Sequence, residues 1–314
     1  MKKKNPWLML FVLLVVFGVI LAAGISWNMK SFINQRGFAV GTKSILHLQL
    51  SGVIMDGKKV LKPLLKYRED KSIKAVVIEI NSPGGVVGPS QELYEEIRRT
   101  REEFKLPVVA VTTNVMASGA YYAAVGADKI IAAPGSMVGS IGVIMQFTNL
   151  EKLYDWAKVS RFSIATGKFK DSGAEYRPMR DDERALFQEL IDDVYAQFVE
   201  AIAEGRNMKL DDVKPYADGR VFTGRQGVDY GFVDELGTLE DAFDVAADLA
   251  GLSDYDVFEP PKERPSIWDL MGSADEETTI LPWKPSSQQI EKAMQSLFRL
   301  ELANKPLLLM PGVY

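Results

Sequence analysis

The sequence predicts an α/β body built on a parallel sheet, preceded by one N-terminal membrane-spanning helix. Short, near-continuous apolar runs rich in β-branched residues recur at Ala75–Ile80, Pro107–Thr112 and Lys129–Ala133. A helix-like segment, Ser90–Phe104, with Leu93 and Ile97 among charges, separates the first two. Apolar strands alternating with helices are the pattern of a parallel sheet covered on both faces. The third observation is the apolar run Trp7–Trp27, in which Ser26 is the only plainly polar residue.

That run holds 21 residues. At ~1.5 Å per residue it makes roughly 30 Å of helix, the depth of a hydrocarbon core. Trp7 and Trp27 stand at its ends, where amphipathic rings favour the interface. Lys2, Lys3 and Lys4 precede it, so the positive-inside rule leaves residues 1–6 in the cytoplasm and the body on the far side of a cell membrane. A cleaved signal peptide is the competing reading, because Ala22, Ala23 and Gly24 are small. The run exceeds the usual ~7–15-residue signal core, which favours an uncleaved anchor.

After a linker (28–43), Ser44–Ile54 alternates like a strand and stops at the turn Asp56–Gly57. Asp181–Arg206 reads as one long helix: Asp181, Asp182 and Glu183 suit its first turn, and Leu186, Leu190, Ile191, Val194 and Phe198 form an apolar stripe for core or subunit packing. Glu240–Leu252 is a second helix and closes the body, 44–252. The tail, 253–314, is rich in proline, seven of the chain's 15 falling beyond residue 250. One helix is expected there, near Ser287–Ala303, with Ser286 and Gln289 placed as a capping box. The tail ends in an extended apolar segment, Pro306–Tyr314.

Composition removes several function classes. With 314 residues, 47% hydrophobic and 25% charged, the chain is neither disordered nor fibrous. Cys is 0, which excludes disulfides, zinc fingers, iron–sulfur clusters and thiol nucleophiles. His is 1, so no multi-histidine metal site exists, and HExxH and Walker patterns are absent. No metal or organic cofactor is implied. A net charge of −5 argues against a nucleic-acid groove.

Three Gly/Ser-rich stretches follow strands, where α/β sheets place ligands. Asn81–Gly85 (NSPGG) can expose consecutive N–H groups to an oxyanion, or be only a turn. Met116–Ala124 (MASGAYYAA) sets Ser118 among small residues before an Ala-rich helix. That suits a nucleophile on a sharp turn, or an ordinary N-cap. Gly135–Gly142, with Ser136 and Ser140, offers a second serine near a site or a tight strand crossing, and spacing does not decide between them.

A nucleophilic serine needs a base. His47 lies far upstream with no acid beside it in sequence, and a structural or surface role suits it better. Lysine is the remaining candidate, and as a base it must titrate about 2–3 pH units below its ordinary ~10.4 to be neutral. Gly167–Gly173 (GKFKDSG) offers Lys168 and Lys170.

In this order and spacing, INSPGG (80–85), MASGAYYAA (116–124), GSIGVI (139–144), GKFKD (167–171) and FTGRQGVDYGFVDELG (222–237) resemble the signal peptide peptidase A (SppA) family, in its short, single-domain form. The resemblance runs from about Lys43 to Leu252. It implies a ClpP/crotonase-like spiral of parallel sheets with flanking helices, and a membrane serine endopeptidase. By the same resemblance Ser118 is the nucleophile and Lys170 the general base. Ser140 hydrogen-bonds the lysine, and the amides of Gly85 and Gly119 form the oxyanion hole. Were the segment extended, Lys168 and Lys170 would share a face, so the choice of Lys170 rests on the family pattern. Val228 stands where the family commonly has Ala, which raises a question of local packing.

The resemblance also implies a homo-oligomeric ring in which one protomer's lysine meets a neighbour's serine, and apolar peptide substrates such as remnant signal peptides. The terminal PLLLMPGVY is a candidate occupant of the substrate groove, as inhibitor or self-cleavage site, against the alternative of simple packing. Other readings are a crotonase-type acyl-CoA enzyme and a catalytically silent membrane scaffold.

Overall fold

A computed structural model of the chain describes residues 42–261 and 307–309. The expected span 7–27, most of the linker and the tail helix near 287–303 lie outside these residues. Among the described residues no helix is long and apolar enough to cross a membrane.

The chain runs through β1 (Ser44–Ser51), α1 (Lys58–Tyr67), β2 (Ile73–Asn81), β3 (Gly84–Val86) and α2 (Val87–Glu102). It continues with β4 (Val108–Thr112), β5 (Val115–Ala117), α3 (Gly119–Ala124), β6 (Lys129–Ala132) and β7 (Met137–Gly139). Next come α4 (Glu151–Ala157), α5 (Asp181–Gly205), α6 (Leu210–Val213), β8 (Val221–Thr223) and α7 (Gly224–Asp229). β9 (Glu235–Leu236), α8 (Leu239–Leu249), β10 (Asp256–Phe258) and β11 (Leu307–Leu309) complete it.

Six strands in the order β10-β1-β2-β4-β6-β9 form the main sheet, and every pair is parallel. One face carries Ile45, Val77, Val109, Val111 and Ile131 against Phe243 and Ala246 of α8. The alternate residues Leu46, Val76, Ile78 and Ala110 are also fully buried. Burial on both faces is why these strands read as continuous apolar runs rather than alternating ones. The α/β frame with its parallel sheet and flanking helices fits a ClpP-like fold.

Beyond the ends of β2 and β4 the chain breaks into three-residue strands. β5, β7 and β8 make a small second sheet, β5–β7 parallel and β7–β8 antiparallel. β3 pairs antiparallel with β11. Single bridges, Ser82 to Met116 and Ile54 to Gly85, tie these pieces together.

The long helix α5 divides in two. Its C-terminal half buries Phe198, Val199, Ala201 and Ile202, whereas Leu186 and Leu190 near its start are exposed. The expected apolar stripe is therefore core at one end and open at the other.

Candidate active site

β5 delivers the chain to Ser118, and α3 begins at the next residue. Ser118 has φ 54° and ψ −120°, outside the regions that side chains ordinarily occupy. Holding a non-glycine residue there costs on the order of 1–3 kcal/mol. The residue occupies the N-cap position, yet its side chain makes no capping bond. Its Oγ is buried and has no hydrogen-bond partner among the described residues. An orphaned hydroxyl costs roughly a further 1–3 kcal/mol. A cap would lower the free energy of the helix; this serine raises that of its surroundings, which is the signature of a strand-to-helix nucleophile elbow.

Two backbone amides lie beside it. Gly119 opens α3, so its N–H is one of the helix's unpaired terminal donors. A Cβ built on Gly119 would meet the Gly85 nitrogen at 3.2 Å and Ser90 Oγ at 2.4 Å. A Cβ on Gly84, whose φ is +99°, would stand 2.7 Å from the Gly119 nitrogen. The close approach of β3 to the start of α3 thus has no room for side chains. Ile54 takes one edge of β3, donating to Gly84 O at 2.9 Å and accepting from Val86 N at 2.8 Å. Because backbone groups alternate along a strand, the N–H of Gly85 faces the other edge.

Ser140 stands on the neighbouring strand end. The Ser118 amide donates to Gly139 O at 2.7 Å, and Ala117 pairs with Gly139 in the parallel register, so one further step puts Ser140 beside Ser118. Ser140 is also buried and has φ 53°. Its amide donates to Arg220 O at 2.8 Å.

The 222–237 motif lies behind this framework. Tyr121 of α3 donates its hydroxyl to Phe232 O at 2.8 Å, and burial pushes its pKa well above the usual phenol range. Phe222 stacks on Phe232 with centroids 5.4 Å apart. Asp234 accepts from Ile130 N at 2.8 Å and pairs with Arg206 at 2.7 Å. Val228 on α7 is only half-buried, so its extra bulk meets no closed core.

The two lysines sit in consecutive turns, not in an extended segment, and they differ. Lys168 is engaged: its ammonium pairs with Asp182 at 2.7 Å. Lys170 is exposed, and its ammonium makes no ion pair among the described residues. The next residue is clamped: Arg177 donates to the Asp171 carbonyl and carboxylate, each at 3.1 Å, and to Glu183 at 2.6 and 3.0 Å. Those guanidinium bonds hold the Asp171 and Glu183 carboxyls below the usual carboxylate range. Lys170 is thereby presented on a braced turn. Exposed apolar side chains precede it in sequence: Trp156 is 80% exposed, Phe162 78% and Ile164 95%.

His47 belongs elsewhere. Its ring is buried, bonds to Glu79 at 3.2 Å and Glu259 at 3.0 Å, and meets Phe243 edge-on. Acids absent from its sequence neighbourhood are supplied by the fold, and they give it a structural role between strands. Among the described residues no group of three or more His, Asp or Glu could hold a metal ion.

β11 falls in the apolar end segment, Pro306–Tyr314, that the sequence offers as an extended groove occupant. Leu307, Leu308 and Leu309 pair with Val86, Gly85 and Gly84, and Leu308 is fully buried. An extended segment of the chain's own end thus lies along β3 beside the start of α3.

A strained, orphaned serine at a helix start, next to two converging amides and an extended peptide, has the make-up of an acyl-transfer site. Residues 100–253 match the profile of Peptidase family S49. A Synechocystis sp. protein that carries a protease name is 41% identical over 243 residues, covering 76% of this chain and 86% of its own. An Enterococcus faecium protein named for signal peptide peptidase SppA is 35% identical over 230 residues, 69% of this chain and 67% of its own. The chloroplastic serine protease SPPA of Arabidopsis thaliana is 34% identical over 206 residues, 65% of this chain and 30% of its own. The chain belongs to the signal peptide peptidase A family of S49 peptidases, in its short form.

Proposed function

We propose that the chain is a membrane-anchored serine endopeptidase that cuts extended apolar peptides, such as remnant signal peptides, with Ser118 and Lys170 as its dyad. The observation that carries this reading is the Ser118 elbow, buried and unpaired beside the Gly119 amide. Ser118 Oγ attacks the scissile carbonyl carbon while a neutral Lys170 amine takes its proton. The developing oxyanion is held by the N–H groups of Gly85 and Gly119, which cost little reorganisation because the backbone already fixes them. The lysine then protonates the leaving amine, and water releases the acyl group by the reverse proton path. Ser140 accepts from or donates to the amine and aims it.

The lysine comes from a neighbouring protomer in a ring. Ser118 Oγ has no hydrogen-bond partner among the described residues, and the exposed Lys170 turn follows in sequence a run of apolar side chains that nothing in the described protomer covers. Docking that surface on a second copy excludes water from the amine, which favours its neutral form. The anchor, residues 7–27, would hold the ring at an extracytoplasmic membrane surface, where apolar peptides are released.

The test is cleavage of an apolar signal-like peptide by the full chain in detergent. Ser118→Ala and Lys170→Ala should each lose activity by at least ~10³-fold, the scale of dyad loss. Lys168→Ala should stay within a few-fold of wild type. Wild-type turnover in Lys170→Ala would refute the dyad.

A further inference from the structure

We infer that two buried serines outside the dyad, Ser82 and Ser90, are positioning residues of the oxyanion hole: Ser82 aims the Gly85 amide, and Ser90 sets its distance from Gly119. This rests on the acyl-transfer reading of Ser118 and deepens it by naming what holds the two amides still. Both side chains are 0% exposed. A buried hydroxyl is costly unless it is bonded, and each of these is bonded at the turn that presents Gly85.

The main chain of Ser82 is stitched to β5, the strand that leads to the nucleophile. Its N–H donates to Val115 O at 2.8 Å, and its carbonyl accepts from Ala117 N at 3.2 Å. Its hydroxyl reaches forward and accepts from Gly84 N at 3.2 Å. Gly84 has φ +99°, a conformation that glycine permits but does not by itself select. The Ser82 bond fixes the peptide plane before Gly84, and the bond from Ile54 N to Gly84 O fixes the plane after it. In a trans peptide the Gly84 C=O and the Gly85 N–H point in opposite directions, so the Gly85 N–H is turned away from Ile54. One serine thus couples the nucleophile's strand to the amide that receives the oxyanion.

Ser90 acts from the other side. Its hydroxyl donates to Val86 O at 2.9 Å, one turn back along α2. Such a back-bond slightly destabilises a helix and tends to bend it, so helix stability does not explain its presence. The bond draws Oγ against Gly119: a Cβ there would meet Ser90 Oγ at 2.4 Å and Gly85 N at 3.2 Å. The hydroxyl fills the space between the starts of α2 and α3 and spaces the two amide-bearing residues. Thr100 makes the same bond in the same helix, to Glu96 O at 2.7 Å, and is equally buried. It lies roughly 15 Å further along the helix axis, which makes it the matched control.

The test measures kcat and KM on an apolar signal-like peptide with the full chain in detergent, together with affinity for a peptidyl boronate. The boronate adduct on Ser118 places an oxygen in the oxyanion hole, whereas KM reports ground-state binding. Ser82→Ala and Ser90→Ala should each lower kcat roughly 10–100-fold with KM within a few-fold, and boronate affinity should fall by the same factor as kcat. Ser82→Thr, which keeps a hydroxyl, should stay within a few-fold of wild type. Ser90→Cys, which keeps the bulk and weakens the donor, should fall between wild type and Ser90→Ala. Thr100→Val should melt lower by about as much as Ser90→Ala yet keep wild-type kcat. Wild-type kcat in both alanine variants, or an equal loss in Thr100→Val, overturns the inference and leaves the peptidase reading intact. So does lost kcat with unchanged boronate affinity, which would put the defect outside the oxyanion hole. A wild-type rate in Ser118→Ala would instead overturn the peptidase reading itself.

Discussion

Ser118 and Lys170 occupy opposite kinds of surroundings. Around Ser118 everything is closed: the hydroxyl is buried, Ala117, Gly119 and Tyr121 are fully covered, and two short sheets fix the backbone from both sides. Around Lys170 almost everything is open. Between residues 153 and 169 five large apolar side chains are at least half exposed, among them Trp156 and Ile164. Yet the turn bearing the lysine is tied down by Arg177, Asp171 and Glu183. The contrast teaches that rigidity and burial are separable. One half of the proposed site is preorganised by packing within the protomer; the other is preorganised by ion pairs and stays uncovered among the described residues, as suits a surface that docks on a second copy.

Removing the serine breaks the closed side most sharply. Ser118→Gly should lose peptide cleavage by at least ~10³-fold. It should nonetheless melt higher. Relief of the φ strain and of the orphaned hydroxyl, each about 1–3 kcal/mol, outweighs the roughly 0.5–1 kcal/mol entropic cost of glycine. A lower melting temperature in calorimetry would mean that Ser118 is neither strained nor unpaired.

Charging the open side comes next in size. Trp156→Asp with Ile164→Asp should turn the assembly into monomers by light scattering in detergent and remove nearly all activity. The melting temperature of the body should barely move, because the two side chains are 80% and 95% exposed in the protomer. Retained assembly with lost activity would detach this apolar surface from oligomerisation.

The smallest expected effect is on the brace. Arg177 holds the Glu183 carboxyl below its ordinary value, so the unfolded chain takes up that proton first as pH falls. The contribution is therefore fully present above about pH 4.3, the ordinary glutamate value, and is lost as pH drops through the depressed folded value. Glu183→Gln should lower the melting temperature at pH 7 by about 2–4 °C and flatten its fall between pH 5 and pH 3. It should also lower turnover several-fold with the Michaelis constant little changed, since the lysine turn loosens. An unchanged pH profile would remove Glu183 from the brace.

The main sheet was legible because its strands are buried on both faces and so appear as apolar runs at 75–80, 107–112 and 129–133. The small strands β3, β5, β7 and β8 were not, since three residues carry no periodicity. At Ser118 the sequence is ambiguous for a physical reason: an N-cap and a nucleophile elbow both place a serine before a helix, and only the backbone angles and the unpaired hydroxyl separate them. Lys168 and Lys170 are equivalent by local spacing; what distinguishes them is Asp182, brought to Lys168 from fourteen residues away. His47 finds its carboxylates at Glu79 and Glu259, which no local pattern relates to it. Trp156, Phe162 and Ile164 have core composition without core burial, and exposure of that kind is invisible in composition alone.

The central claim, a dyad shared between protomers, is tested most directly by co-expressing full-length Ser118→Ala and Lys170→Ala chains in equal amounts and measuring peptide cleavage by the purified mixture. Each should be inactive alone. In a head-to-tail ring with random order, about a quarter of the sites pair an intact serine with a neighbour's intact lysine, so about a quarter of wild-type activity should return. A mixture as inactive as its components would place both residues of the dyad in one chain and contradict the account.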